Sequence, residues 1–210
     1  IVTNIDTQLL QLAGRGHTVV LLQSGDAIPE SFFPSEKSNF KTAWWLGAAT
    51  DNNMGTVVYN NSASITEGMA PDGWADECWF RLLEGGRNFL LDDLPGAEVL
   101  IRSIDLMGAI QNVWTAQDNP YKMLARQKAV MWQTEIVETG KDAGGTLLVS
   151  GLNLLVNTQP PGTRGAPFPE AAWALHKLLG YAFSAPKPKS KMTLKISECP
   201  GCLPPRNVNL

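Results

Sequence analysis

The chain contains few cysteine and histidine residues that could support thiol or imidazole chemistry. Cys78 lies alone in an apolar stretch, while Cys199 and Cys202 form a Cys-Pro-Gly-Cys pair. A structural zinc site needs four ligands, and His17 and His176 lack metal-ligand spacing to anything nearby. A redox C-x-x-C opens a helix after a strand, whereas this pair lies in a proline-rich tail. We expect no metal and no cofactor, and at the pair either a local disulfide or two bystander thiols.

Carboxylates could support glycoside hydrolysis, which needs two of them roughly 5–10 Å apart. Asp92-Asp93 precede a Leu-Pro-Gly turn, and Asp76-Glu77 fall in the first turn of a predicted helix, where negative charge favours the helix dipole. Glu135 and Glu138 flank the end of a predicted strand. Each pair has a structural explanation, so we predict no catalytic residue in this chain.

Tryptophan is the better functional lead, because an exposed indole is apolar on its face and polar at its edge and can stack against a sugar ring. Trp44 and Trp45 lie in an irregular segment and Trp74 at a helix start, so these three are the candidate carbohydrate-binding residues. For Trp44 and Trp45, packing against a neighbouring domain and ordinary core packing stay open as alternatives. Three further tryptophans fit apolar faces and are expected in the core: Trp79, Trp132 and Trp173.

The elements that would position these residues follow an α/β pattern. The run His17–Leu22 is almost wholly apolar, which is typical of a strand in a parallel sheet covered by helices on both faces. Strands are predicted near 98–104 and 129–137, and the second is expected to form an antiparallel edge hairpin with 146–150. A last helix is predicted to begin at Pro169 and to end at Gly180. Alternating strands and helices predict a mostly parallel α/β sheet.

Composition changes after residue 184, where Pro186–Lys191 reads as a charged linker broken by proline. We predict a domain over 1–184, and a Pro/Lys-rich linker with a C-terminal strand or tail over 185–210. The alternating segment 192–196 could pair back onto the domain or begin another one. The chain starts at Ile1 without Met, so we expect it to be part of a longer protein.

Six segments of the chain carry a resemblance to a known family. They are GHTVVLL, WW, MGTVV, DGWADECWFRLL, VLIRSID and GTLLVSGLNL, at residues 16–22, 44–45, 54–58, 72–83, 99–105 and 145–154. In these segments the chain resembles the accessory class I glutamine-amidotransferase-like domain of modular family-2, β-galactosidase-like glycoside hydrolases, over about residues 1–184. It departs from that family at Glu77-Cys78, Phe80 and Trp132-Gln133.

The resemblance implies a flavodoxin-like three-layer sandwich that does not itself cleave glycosidic bonds. Amidotransferase chemistry needs a Cys on a tight strand-to-helix turn and a His to activate it. Cys78 instead falls inside a predicted amphipathic helix, so we do not expect it to be a nucleophile. The implied partners are the other domains of the parent hydrolase, with self-association left open, and the implied location is secreted or periplasmic.

Charge and composition narrow the function classes. The net charge of −3 and pI of about 5.4 exclude a global basic field that would attract nucleic acid. No apolar stretch reaches the roughly 20 residues of a membrane span. The leading hypothesis is a non-catalytic accessory domain of a glycoside hydrolase. The alternatives are a carbohydrate-binding module built on exposed tryptophans, or a small independent hydrolase with a novel site.

Overall fold

A computed structural model of the chain shows a β-sheet with helices packed against it. It describes residues 1–3, 7–23, 33–37, 56–60, 65, 67–68, 79–83, 85–105, 127–154, 169–184 and 186–194. Three α-helices lie in these ranges: α1 (Thr7–Gly14), α2 (Phe80–Leu83) and α3 (Pro169–Ser184). Eight strands accompany them: β1 (Val19–Leu22), β2 (Ser35–Lys37), β3 (Thr56–Asn60), β4 (Arg87–Leu90), β5 (Glu98–Asp105), β6 (Lys128–Glu138), β7 (Gly145–Ser150) and β8 (Lys191–Leu194).

All eight described strands form one sheet around β6. This strand is 11 residues long, so each of its two sides accommodates two partners end to end. One side pairs with β4 and β7, and the other pairs with β5 and β8. The sheet continues from β7 to β1, from β4 to β2 and from β5 to β3.

The predicted α/β class is confirmed, but the expectation of a mostly parallel sheet is wrong. Of the seven pairings that the structure describes, five are antiparallel, and β1–β7 and β6–β8 are parallel. The prediction failed because apolar strands indicate that both faces are covered, whereas strand direction depends on the connections. The β6–β7 hairpin is antiparallel as predicted, yet it is not at an edge, since β7 lies between β6 and β1.

Two hydrophobic clusters lie on the two faces of this sheet. Leu10 and Ala13 of α1 join one cluster, together with Phe89 and Trp132. α2 and α3 contribute to the other cluster, which includes Leu82 and Leu178. In β1, Val19 and Leu21 belong to the first cluster and Val20 and Leu22 to the second, as alternation along a strand requires. The described part therefore has helices on both faces of a central sheet.

The last helix begins at Pro169, as predicted, but it does not end at Gly180. It continues to Ser184 because Tyr181 is buried in the core cluster and the Ser184 hydroxyl donates a hydrogen bond to the Gly180 carbonyl at 2.8 Å. Tertiary burial of one aromatic residue outweighs the low helix propensity of a single glycine, about 1 kcal/mol.

Candidate functional site

The tryptophans chosen as sugar-binding candidates, Trp44, Trp45 and Trp74, lie outside the described residues. The cysteines and Asp76-Glu77 lie outside them as well. Their roles therefore stay predictions.

Three other tryptophans are described, and the expectation of core packing can be checked on them. Trp79 and Trp132 are buried, and the Trp132 ring meets Phe33 edge to face with 4.9 Å between the centroids. Trp173 is half-buried against the cluster on the α3 face, and the Lys177 ammonium lies 5.2 Å from its ring centroid. These three tryptophans stabilise the fold, as expected.

The carboxylates of β6 do not form a pair. Glu135 and Glu138 are three residues apart, so their side chains leave opposite faces of the sheet. Glu138 lies on the α1 face, where its side chain packs next to Gly14, and it forms an ion pair with Lys141. Glu135 lies on the α3 face. The two groups cannot flank one glycosidic bond.

Glu135 is the centre of a buried charge cluster, with only 6% of its side chain exposed. Its carboxylate accepts a hydrogen bond from the backbone N–H of Gly144 at 2.9 Å. The Lys191 ammonium lies 3.4 Å from one carboxylate oxygen and the Lys187 ammonium 3.9 Å from the other. Both lysines also donate to the turn before β7, Lys191 to the Asp142 carbonyl at 3.0 Å and Lys187 to the Gly144 carbonyl at 3.3 Å.

Gly144 explains how the turn reaches this carboxylate. A side chain at position 144 would collide with the carbonyl of Ile136, so only glycine lets the turn fold back against β6 and aim its N–H at Glu135. This hydrogen bond is the main reason that the pKa of Glu135 lies below its usual range, with Lys191 and Lys187 adding to the effect and burial opposing it. A glycosidase acid needs the opposite shift, a raised pKa, so Glu135 is suited to holding cations and not to donating a proton.

The two lysines belong to a segment that docks on the sheet after α3, and we name residues 186–194 the C-terminal strap. Its β8 portion runs parallel to the end of β6, and the Ser190 carbonyl accepts the N–H of Glu135 at 3.0 Å. The N–H of Lys189 donates to the Glu98 carboxylate at 2.8 Å. Pro188 is buried. The described part of the predicted linker is thus bound to the domain, while the boundary after residue 184 stays a prediction.

A second buried charge lies at the start of β6. The Lys128 side chain is 6% exposed and forms an ion pair with Glu36 of β2. Asn88 of β4 lies opposite Glu36, and Ser103 of β5 lies opposite Lys128. These four polar side chains therefore share the α3 face of the sheet. Asn88 and Ser103 are each 2% exposed, and among the described residues Asn88 Oδ1 and Ser103 Oγ have no hydrogen-bond partner.

The outer side of α3 is the third candidate surface. An open cleft of about 230 Å³ is lined by His176, Lys177, Gly180, Tyr181 and Ser184. Phe183 is 91% exposed beside it. Within this fully described helix, the exposed positions carry no Asp, Glu, Lys or Arg. Such a surface is unusual for a helix that faces only water.

The residues of both charge clusters were missed as a group by sequence reasoning, although one signal was present. A single acidic residue, Glu135, interrupts the long apolar stretch 129–137, and a charge at a fully buried strand position requires a partner. The partners lie 52 and 56 residues further along the chain, in a segment whose composition is typical of a linker. No local pattern connects them.

No protein-family model matches the chain, and no curated protein matches it significantly. Among the helices that the structure describes, none is long and apolar enough to cross a membrane.

Proposed function

We propose that this chain is a non-catalytic accessory domain of a β-galactosidase-like glycoside hydrolase, as its sequence resemblance implies. On this proposal the fold is a flavodoxin-like three-layer sandwich whose sheet has become mostly antiparallel. The helices on both faces of the described sheet support the three layers. The location of the parent hydrolase would be secreted or periplasmic.

The main support for the proposal is that the Glu135 carboxylate is bound by groups of its own chain. This buried carboxylate binds a backbone N–H and two lysines of its own chain, so it stabilises the docked strap and has no access to a substrate. A carboxylate with this environment favours a structural role over catalysis.

The outer side of α3 supports contact with other domains. A helix side whose fully exposed positions carry no Asp, Glu, Lys or Arg and include Phe183, with the half-buried Lys177 as its charged residue, is typical of a surface covered in the whole protein. On this proposal the partners are other domains of the hydrolase, which would cover Phe183 and the cleft beside it.

An assay of purified residues 1–210 with aryl-glycosides tests the absence of catalysis. We expect no turnover above buffer for the wild-type chain, Glu135→Gln or Asp76→Asn. Turnover by the wild-type chain that either substitution abolishes would contradict the proposal and favour a small independent hydrolase.

A tryptophan fluorescence titration separates the proposal from a carbohydrate-binding module. We expect no quench or shift at millimolar oligosaccharide. A saturable change that is lost in Trp44→Phe/Trp45→Phe, and kept in the control Trp173→Phe, would instead favour the binding module.

A further inference from the structure

The C-terminal strap is bound to the sheet mainly through polar contacts. Its ion pairs with Glu135 come from lysines whose side chains are 67% and 55% exposed, Lys187 and Lys191. Its backbone meets the sheet at Glu135, Glu98 and the end of β6. Burial of Pro188 and half-burial of Met192 supply the apolar part. Contacts of this kind depend on solvent conditions more than the packed core does.

Two buried polar groups in or near the strap lack hydrogen bonds. Gln133, 2% exposed, lies on the same face of β6 as Glu135. In the described part of the chain, Gln133 Oε1 and the hydroxyl of Ser190 in the strap are buried without a hydrogen-bond partner. Each such group costs free energy in the docked state, and the Ser190 hydroxyl, which belongs to the strap, gains hydrogen bonds to water on undocking.

Undocking also leaves no buried charge without a partner. The two lysines extend into water already, and Glu135 keeps the hydrogen bond from Gly144, which belongs to the turn before β7 and not to the strap. The backbone pairing of β8 with β6, the hydrogen bond from Lys189 to Glu98 and the burial of Pro188 oppose release. A close approach at Gly96 also holds the docked strap in one position. Gly96, with φ of +86°, brings the turn before β5 so near that a side chain there would lie 2.6 Å from the Lys191 carbonyl oxygen.

We propose that the C-terminal strap is a detachable element, latched by the lysine pairs to Glu135 and released as a unit while the sheet stays folded. If the chain is an accessory domain, as proposed above, the docked strap fixes the direction in which the chain continues after α3. The released strap turns the same junction into a flexible tether. The latch thereby regulates the rigidity of the junction after α3.

Limited trypsin digestion of residues 1–210 tests the latch. The Lys187–Pro188 bond resists trypsin, so the strap is cut after Lys189 and Lys191. Glu135→Gln keeps an acceptor for the Gly144 N–H but removes the charge. We expect it to raise the rate of cleavage after Lys189 and Lys191 by about tenfold, because cleavage follows the population of the open form. Cleavage after Lys128, which is buried in β6, requires the sheet to unfold, so it reports on the rest of the domain and should not change.

The matched control is Glu138→Gln, which removes the side-chain ion pair with Lys141 from the same strand and leaves the backbone pairing of position 138 with the strap in place. It should leave cleavage after Lys189 unchanged. The proposal is overturned if Glu135→Gln leaves strap cleavage unchanged, or if it accelerates all sites equally, since that reports global unfolding. If Glu135→Gln does not fold, trypsin digestion of the wild-type chain at low and high salt replaces it. High salt should then accelerate cleavage after Lys189 and Lys191 selectively. A cleavage pattern that does not change with salt would overturn the proposal. These experiments measure proteolysis and not glycosidase activity. A negative result here can therefore be told apart from a negative result for the proposed function.

Discussion

Two buried charges lie near opposite ends of β6, and the chain stabilises them in different ways. At one end Lys128 is the buried member, and its anionic partner Glu36 lies on β2, a strand of the sheet. At the other end Glu135 is the buried member, and its cationic partners lie on the C-terminal strap. Glu135 also has the Gly144 N–H, so it keeps a stabilising contact without its lysines. The ion pair of Lys128 therefore joins two strands of the sheet, whereas Glu135 can lose its lysine partners and still keep one hydrogen bond.

Glu36→Gln should give the largest effect, because it leaves the Lys128 ammonium buried opposite a neutral group. We expect a loss of about 2 kcal/mol in the free energy of unfolding, measured by urea titration, less than a fully buried pair would cost because Glu36 is partly exposed. Adding Lys128→Met should recover part of the loss. If Glu36→Gln proves no more destabilising than Glu135→Gln, the contrast between the two ends is wrong.

Gly96→Ala should give the next largest effect, and it acts at the strap end. Position 96 has a positive φ and lies against the Lys191 carbonyl, so alanine strains the turn and displaces the strap, at a cost of about 1–2 kcal/mol. Gly180→Ala is the control, since a side chain there meets open space within α3. It should stabilise the chain by about 0.5–1 kcal/mol. If Gly96→Ala and Gly180→Ala changed the free energy of unfolding in the same direction, the close approach at Gly96 would be contradicted.

The pH dependence of the Glu135 cluster should be smaller and have a defined sign. The Gly144 hydrogen bond first, and then Lys191 and Lys187, lower the pKa of Glu135 in the folded chain. A lowered pKa means that Glu135 adds stability above the ordinary glutamate pKa and loses it as pH falls through the lowered folded value.

Urea titrations of the wild-type chain and Glu135→Gln from neutral to acidic pH measure this dependence. The stability difference between the two should be constant near neutral pH and should shrink as the solution becomes acidic. A difference that grows on acidification would mean that Glu135 is held in its protonated form, which would reverse the assignment of the cluster.

The fold was predictable where local sequence determines structure. The apolar run at Val19–Leu22, the helix that begins at Pro169 and the antiparallel β6–β7 pairing all follow from local patterns, and the structure confirms them. The central position of β6 was not predictable, because its pairings with β4, β5 and β8 join distant segments whose direction no local pattern specifies.

The charge clusters illustrate the same limit. Lys128 and Glu36 are 92 residues apart in the chain, and the strap was interpreted as a linker because its lysines and prolines are typical of exposed chain. The sequence did show one charged residue, Glu135, inside a strand predicted to be buried. A charge in that position predicts a partner without indicating which residue it is.

The intact mass of the natural polypeptide that contains residues 1–210 tests the central claim, an accessory role, most directly. The account predicts a parent several times longer than this chain, with a glycoside hydrolase barrel upstream of Ile1. A natural polypeptide that ends at these boundaries would contradict it.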